Sequence, residues 1–576
     1  MRPPSPTFVT FTGAILLGLA SVAVAHGHDE DMNMNMGESS ITRPTITSGA
    51  NVTLPETYFR YGEHSGLLAA HIFLMVVAWV FILPISVMLS ISRSRYNLLV
   101  QFVFLAVNGA GVLLLTIYNA PDLYPNNAHH KLGWILTWIM GAQAVMGVIS
   151  AYTRRKDDRG AFIPVSTQNI EQHQRIHNMS QAQMYRFSND SGQGTEPNTE
   201  SLRSQSISST HSDDPQLPDV RMEHEEEDQD EKLGLMHGSK VDKFLSKKIP
   251  GLVSGRLLRV FQFFYNVIDR VILILGFVAM STGIVTYGGF FIGPAVFNGL
   301  AHFIKGGVFF WYGILTIGRW AGCFADIGWA WNIKPNKGGR RITAEFVESF
   351  LIFFYGSTNV FLEHLTAWGE EWSAQDLEHI SITAMFFGGG LCGMLIESTR
   401  IRSLLNATKL SQIHPSYGSE KSQELEEPKS YAFPMNPIPA LVILLLGLMM
   451  SSHHQESMVA TMIHSQWGTL LVGAAFARAA TYILFYLSPP ASVLPGRPPT
   501  ELITAFCLMA GGMIFMASAR DLTEAMEANG LDAMFIFTVS MGVITFLMAW
   551  IIVVVAIKGW AVRRENRSAF TYRQVA

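Results

Sequence analysis

Residues 66–91 read "GLLAAHIFLMVVAWVFILPISVMLSI", 26 residues without one Asp, Glu, Lys or Arg. A helix rises about 1.5 Å per residue, so this run is long enough to cross the roughly 30 Å of hydrocarbon in a bilayer. Hydrocarbon offers the main chain no water to bond with, and a lone apolar run of this length satisfies itself only as a helix. Outward from it, ten more segments read the same way: 98–118, 131–152, 260–286, 295–318, 344–363, 379–397, 434–451, 465–487, 502–519 and 533–557. The whole chain of 576 residues is 49% hydrophobic and only 15% charged, the balance of a polytopic membrane protein and not of a soluble domain. The expected fold class is an all-α membrane helix bundle with about eleven transmembrane helices after a cleaved signal peptide.

The signal peptide is read from residues 1–25, where Arg2 precedes "FTGAILLGLASVAVA" and small residues stand at Ala23 and Ala25. Its removal places the mature N-terminus on the exoplasmic side of a secretory-pathway membrane: endoplasmic reticulum, Golgi, vacuole or plasma membrane. Charge bias gives the same direction. With an outside N-terminus and eleven spans, the inside connectors include "SRSRYN", "NIKPNKGGRR", "TRIRSLLNATK" and the tail "KGWAVRRENRS", all basic as the positive-inside rule requires. The outside connectors, including "NAPDLYPNN", "TAWGEEWSAQD" and "RDLTEAMEANGLD", are neutral or acidic.

Between these landmarks the chain divides into a His/Met-rich exoplasmic segment at 26–65, a three-span unit at 66–152 and a polar linker at 153–256. A four-span unit at 257–400, a cytoplasmic loop at 401–432, a second four-span unit at 433–557 and a basic tail at 558–576 follow. The linker contains "EHEEEDQDEK" and lacks apolar periodicity, so it is expected to be disordered. Membrane lipid is the expected partner. A net charge of -4 gives nucleic acid no electrostatic footing. Cys323, Cys392 and Cys507 are too far apart in sequence to suggest a disulfide framework or a Cys-based zinc site.

Histidines sort by side. Six of the 18, namely His173, His177, His211, His224, His237 and His414, fall in inside loops, and the other twelve lie outside or in the outer half of a span. Neutral imidazole near one membrane face suits copper, zinc or iron. In "SSHHQESMVATMIH" (451–464), His454, Met458 and Met462 follow an i, i+4, i+8 spacing and share a face if helical, a set suited to Cu(I) or to ordinary packing. His453 and His464 are eleven residues apart and need a bend or a second segment to meet. His26, His28, Met32, Met34 and Met36 form a second His/Met supply in "HGHDEDMNMNMGE". Glu363, His364, Glu378 and His379 bracket a 13-residue outer connector and offer ligands for a zinc or copper site.

Within the first three spans, "HIFLMVVAWVFILP" and "HHKLGWILTWIMGAQAVMG" resemble core helices of the transmembrane cytochrome b-561 family. The matching residues are His71, Leu74, Met75, Ala78, Trp79 and Pro84, then His130, Gly133, Gln143 and Gly147. The resemblance implies that His71 and His130 form one axial pair for a b-type haem. The family's second pair has no counterpart, since no histidine occurs in 98–118 or 260–286. Over its full length the chain resembles the fungal Ytp-one-like membrane proteins, most distinctly in "YGSTNVFLEHLTAWGEEWSAQDLEHISITAMFFGGGLCGMLIES" and "MMSSHHQESMVATMIHSQWG".

The remaining polar residues in the spans point to ions or protons. Glu348, Tyr355, Asn359 and Glu363 recur at i, i+7, i+11 and i+15, a polar stripe that serves either a proton route or hydrogen bonding between helices. Lys305, beside His302, and Arg478 are charges that require partners, and Glu348 is the expected counter-ion of one of them. Gly389 and Gly393 have the small-xxx-small spacing of close helix packing. Three functions stay open: a membrane redox protein or metalloreductase with an exoplasmic haem or metal site, a copper, zinc or proton transporter or sensor, and a structural or trafficking protein. No Gly-rich nucleotide loop supports a self-sufficient reductase.

Overall fold

The computed structural model describes residues 57–118, 120–160, 255–335, 342–363, 374–410, 434–452, 455 and 457–575. The signal peptide, the His/Met-rich stretch through residue 56, and residues 161–254 of the linker lie outside these. Every described element is helical: α1 (Ser65–Ile91), α2 (Asn97–Ile117), α3 (Ala128–Gly160), α4 (Gly255–Gly288), α5 (Val296–Ala321), α6 (Ala344–Glu363), α7 (Ala374–Glu397), α8 (Thr399–Leu410), α9 (Ile438–Ser451), α10 (Met458–Leu487), α11 (Pro499–Ala517), α12 (Arg520–Ala528) and α13 (Ala533–Val575).

All eleven expected spans are helices, and nine of the described helices are long and apolar enough to cross a membrane. The other two differ for separate reasons. α6 has the length but carries Glu345 and Glu348 in its first two turns, and α9 has only 14 residues. The boundaries of the linker and tail also move. α3 continues to Gly160, and α13 continues to Val575 through the expected tail.

Internal contacts divide the chain into two units, residues 1–140 with 269–576, and residues 141–268. In the smaller unit the described residues are the later part of α3 and the first part of α4, where Phe263 and Phe264 are exposed and meet edge to face. In the larger unit α11 is the central helix, packed against α5 and α10, while α6 pairs with α7, α9 with α10, and α1 with α2. Exposed Leu113, Trp138, Phe354 and Leu487 are the side chains such helices turn toward lipid.

Glycine sets the closest crossings. A Cβ on Gly447 would stand 2.7 Å from the carbonyl oxygen of Gly468, and one on Gly468 the same distance from that of Gly447. The expected packing role of "FGGGLCG" also appears, with Gly389 against Val442 of α9 and Gly393 against Ser349 of α6.

The first span is joined to the last by one atom-level repair. Pro84 has no N–H to offer Val80 four residues earlier, and α1 widens into a π-helical stretch over Val77–Ile82. Trp550 of α13 donates its indole N–H to the Val80 carbonyl at 2.9 Å. Losing that donor removes a hydrogen bond from the carbonyl, a cost of about 0.5–1.5 kcal/mol. Trp550→Phe is therefore expected to lower the melting temperature of the purified protein, and Pro84→Ala in the same chain to restore part of the loss by supplying an N–H. Equal melting of the single variant and wild type would contradict this account.

Candidate functional site

Two clusters stand out in the larger unit. The first is a cavity of about 70 Å³ lined by His71, Met75 and Trp79 of α1, Asn108 of α2, and His129 and His130 of α3. His71 is 7% exposed and donates its Nδ1–H to the Gly111 carbonyl at 2.9 Å. His129 donates its Nδ1–H to the Ala279 carbonyl of α4 at 3.1 Å. A carbonyl only accepts, so each bond fixes the tautomer and leaves Nε2 as the ring's electron-pair donor, the outer-shell arrangement common to metal-ligating histidines. Trp79 bonds Asn108 at 3.0 Å, and Asn108 bonds Thr137 at 3.2 Å, which braces the wall.

His130, the partner expected for His71, lines the same cavity but is exposed, its main-chain N–H bonded to Asn127 Oδ1 at 2.8 Å. The residue that sequence reading passed over is His129. Its helical phase was available: His129, Gly133, Leu136 and Met140 are spaced i, i+4, i+7, i+11, and Leu136 and Met140 are each 1% exposed. His130 shares its phase with Trp134, which is 42% exposed.

The second cluster is a buried charge network at the end of the bundle where α5 and α10 finish and α6 and α11 begin. Arg319 of α5 donates Nη1–H to Glu348 Oε1 at 2.8 Å, Nη2–H to Glu345 Oε1 at 2.9 Å, and Nε–H to the Trp329 carbonyl at 2.8 Å. Arg478 of α10 stands 3.4 Å from Glu348 and 2.8 Å from Glu501 of α11, the latter an ion pair without hydrogen-bond alignment. Trp331, from the loop after α5, lies under both guanidinium groups at 4.5 and 5.4 Å. All five charged residues are at most 5% exposed. Of the two expected partners of Glu348, Lys305 and Arg478, Arg478 is the one that meets it, and Arg319 is nearer still. Arg319 closes an apolar span and reads in sequence as an ordinary inside-end cation, so only its neighbours reveal it.

The other expected site residues are dispersed. Tyr355 packs edge to face on Phe386, and Asn359 donates to Thr383 Oγ1 at 3.0 Å. The upper α6 stripe thus meets α7, the helix with which α6 pairs. Met458 and Met462 are 75% and 47% exposed, whereas His464 is buried, so the methionines turn away from the bundle. His464 of α10 and His302 of α5 meet edge to face with ring centroids 6.4 Å apart, each donating Nδ1–H to the carbonyl one turn earlier. Lys305 is half-buried one turn further along α5, and His379 is half-buried in the first turns of α7. His364, His453, His454 and the side chain of Glu363 lie outside the described residues. Among the described residues no three His, Cys, Asp or Glu side chains converge as a ready metal cage.

Residues 275–559 match the family model described as Protein YTP1-like, C-terminal, and residues 53–153 match a domain of unknown function. An uncharacterised membrane protein of Schizosaccharomyces pombe is 34% identical over 521 residues, 88% of this chain and 96% of its own. An uncharacterised membrane protein of Saccharomyces cerevisiae is 40% identical over 48% of this chain and 45% of its own. Protein YTP1 of the same yeast is 20% identical over 52% of this chain and 55% of its own. No solved structure matches. The tight sequence kinship with the fission-yeast protein along nearly its whole length means that this chain belongs to the YTP1-like family of integral membrane proteins.

Proposed function

We propose that this integral membrane protein binds a transition-metal ion between His71 and His129 and uses it in membrane electron transfer or metal reduction. The observation that carries the reading is the pair of imidazoles on one cavity, each with Nδ1–H tied to a main-chain carbonyl of a neighbouring helix. Copper or iron suits such a donor set. The cavity of about 70 Å³ has room for an ion with a water or two, well below the roughly 300–1,000 Å³ of pockets for organic ligands. A b-type haem on the same imidazoles therefore does not fit unless α1 and α3 part. On the orientation read from the charge bias, the cavity opens at the exoplasmic face of a secretory-pathway membrane.

Metal analysis of the purified full chain, with a copper titration under reducing conditions and an optical spectrum, tests this. One tightly held copper or iron per chain is expected. His71→Ala or His129→Ala should weaken it beyond the roughly 10–100-fold typical of losing an outer-shell partner, and His130→Ala should leave it nearly unchanged. Protein that takes up neither copper nor iron would end the proposal, and a dithionite-reduced haem band would replace the ion with a porphyrin. The His302 and His464 pair favours a second reading as a copper or zinc transporter, in which two metal equivalents bind and vesicles containing the protein pass the ion.

A further inference from the structure

The charge network does not balance. Three carboxyl groups, Glu345, Glu348 and Glu501, face two guanidinium groups, Arg319 and Arg478. An arginine keeps its proton in proteins, so with every carboxyl ionised one negative charge would remain, and an uncompensated buried charge costs several kcal/mol. Water does not screen it, since Glu345, Glu348 and Glu501 are 1%, 5% and 0% exposed. The nearest other ionisable groups do not cancel it. Tyr312 of α5 stands 3.5 Å from Arg478, Tyr482 of α10 is buried beside Trp331, and Glu397 of α7 adds a further carboxyl, accepting the Thr343 hydroxyl at 2.8 Å two residues before Glu345.

Within the cluster the carboxyls are not equivalent. Glu348 sits between both arginines, and Glu501 meets Arg478 at 2.8 Å on the α11 side. Glu345 shares Arg319 with Glu348 and has Glu397 near its helix start, and its Oε2 makes no hydrogen bond, as neither oxygen of Glu501 does. We propose that this cluster is a proton-binding site, with one exchangeable proton held on the Glu345 carboxyl while Glu348 and Glu501 stay ionised. The site is independent of the His71 centre.

Infrared difference spectroscopy of the purified full chain, exchanged between H2O and D2O, reads this directly. Wild type at neutral pH is expected to show a protonated-carboxyl C=O band that Glu345→Gln removes, that the charge-keeping Glu345→Asp shifts in frequency, and that Glu501→Asp leaves at the wild-type frequency. Gln at 345 mimics the protonated acid, so this variant is expected to fold. A native-state proton on a carboxyl makes stability fall as pH rises from the unfolded value toward the folded one, by about tenfold in the folding equilibrium per pH unit. Glu345→Gln should remove that component relative to wild type. The proposal is overturned by a wild type without the band, by a band that Glu501→Asp shifts and Glu345→Asp does not, or by failure of Glu345→Gln to fold.

Discussion

Arg319→Ala is expected to lose about 3–5 kcal/mol of stability, the usual cost of breaking a buried ion pair on one side. The guanidinium holds Glu345, Glu348 and the Trp329 carbonyl through three separate N–H groups. Its removal leaves Glu345 with no cation and Glu348 with Arg478 alone at 3.4 Å. The loop from Ala325 to Trp331 loses its anchor in the same step, because Trp331 stacks under Arg319 at 4.5 Å. Arg319→Lys is expected to recover little, since an ammonium lacks the planar fork and the stacking face. Arg319→Met combined with Glu348→Met should recover most of the loss, because two opposite charges leave together and Glu345, holding its proton, stays neutral. Thermal melting of the solubilised protein followed by size-exclusion chromatography measures all four chains. A double variant no better than Arg319→Ala would show that the network does not act through charge compensation.

Gly512→Leu is expected to abolish recovery of monodisperse protein, and Gly512→Ala to cost about 1–3 kcal/mol by overpacking. A Cβ at Gly512 would come within 2.5 Å of both the Gly306 carbonyl oxygen and the Phe310 main-chain nitrogen, and one at Gly306 within 2.6 Å of the Gly512 carbonyl oxygen. These are backbone atoms of α5, so no rotamer change gives room, and α5 and α11 must separate. α11 is the most enclosed span and also packs on α10, so the separation spreads to the helices that carry Arg319, Arg478 and Glu501. Gly542→Ala, on α13 with nothing within 4 Å of the new Cβ, is the matched control and should behave as wild type. The fraction of protein eluting as a single peak distinguishes the three variants. Normal elution of Gly512→Leu would mean that the α5 and α11 contact is not required for folding.

Histidines 129 and 130 show how far a sequence carries the site and where it stops. Both are adjacent, both stand at the mouth of an apolar helix, and both line one cavity. Which of them turns inward follows from the phase of Leu136 and Met140, a pattern along one helix and therefore legible. That the inward ring meets the Ala279 carbonyl, 150 residues later in the chain, is not written in any local pattern. The expected Glu348 counter-ion was half legible for the same reason. A buried charge demands a partner, which pointed to Lys305 or Arg478, but nothing local marked Arg319.

The sequence by itself determined the all-helical fold class and the membrane as the helices' solvent, because hydrocarbon leaves an apolar run no other way to satisfy its main chain. Tertiary structure alone decided which ends of which helices meet. Lipid is as apolar as the side chains it contacts, so hydrophobicity does not rank one helix pairing above another. The ranking comes from glycine contacts such as Gly306 with Gly512, from Trp550 capping the carbonyl freed by Pro84, and from charges such as Arg319 and Glu348 that exclude every arrangement in which they stand alone.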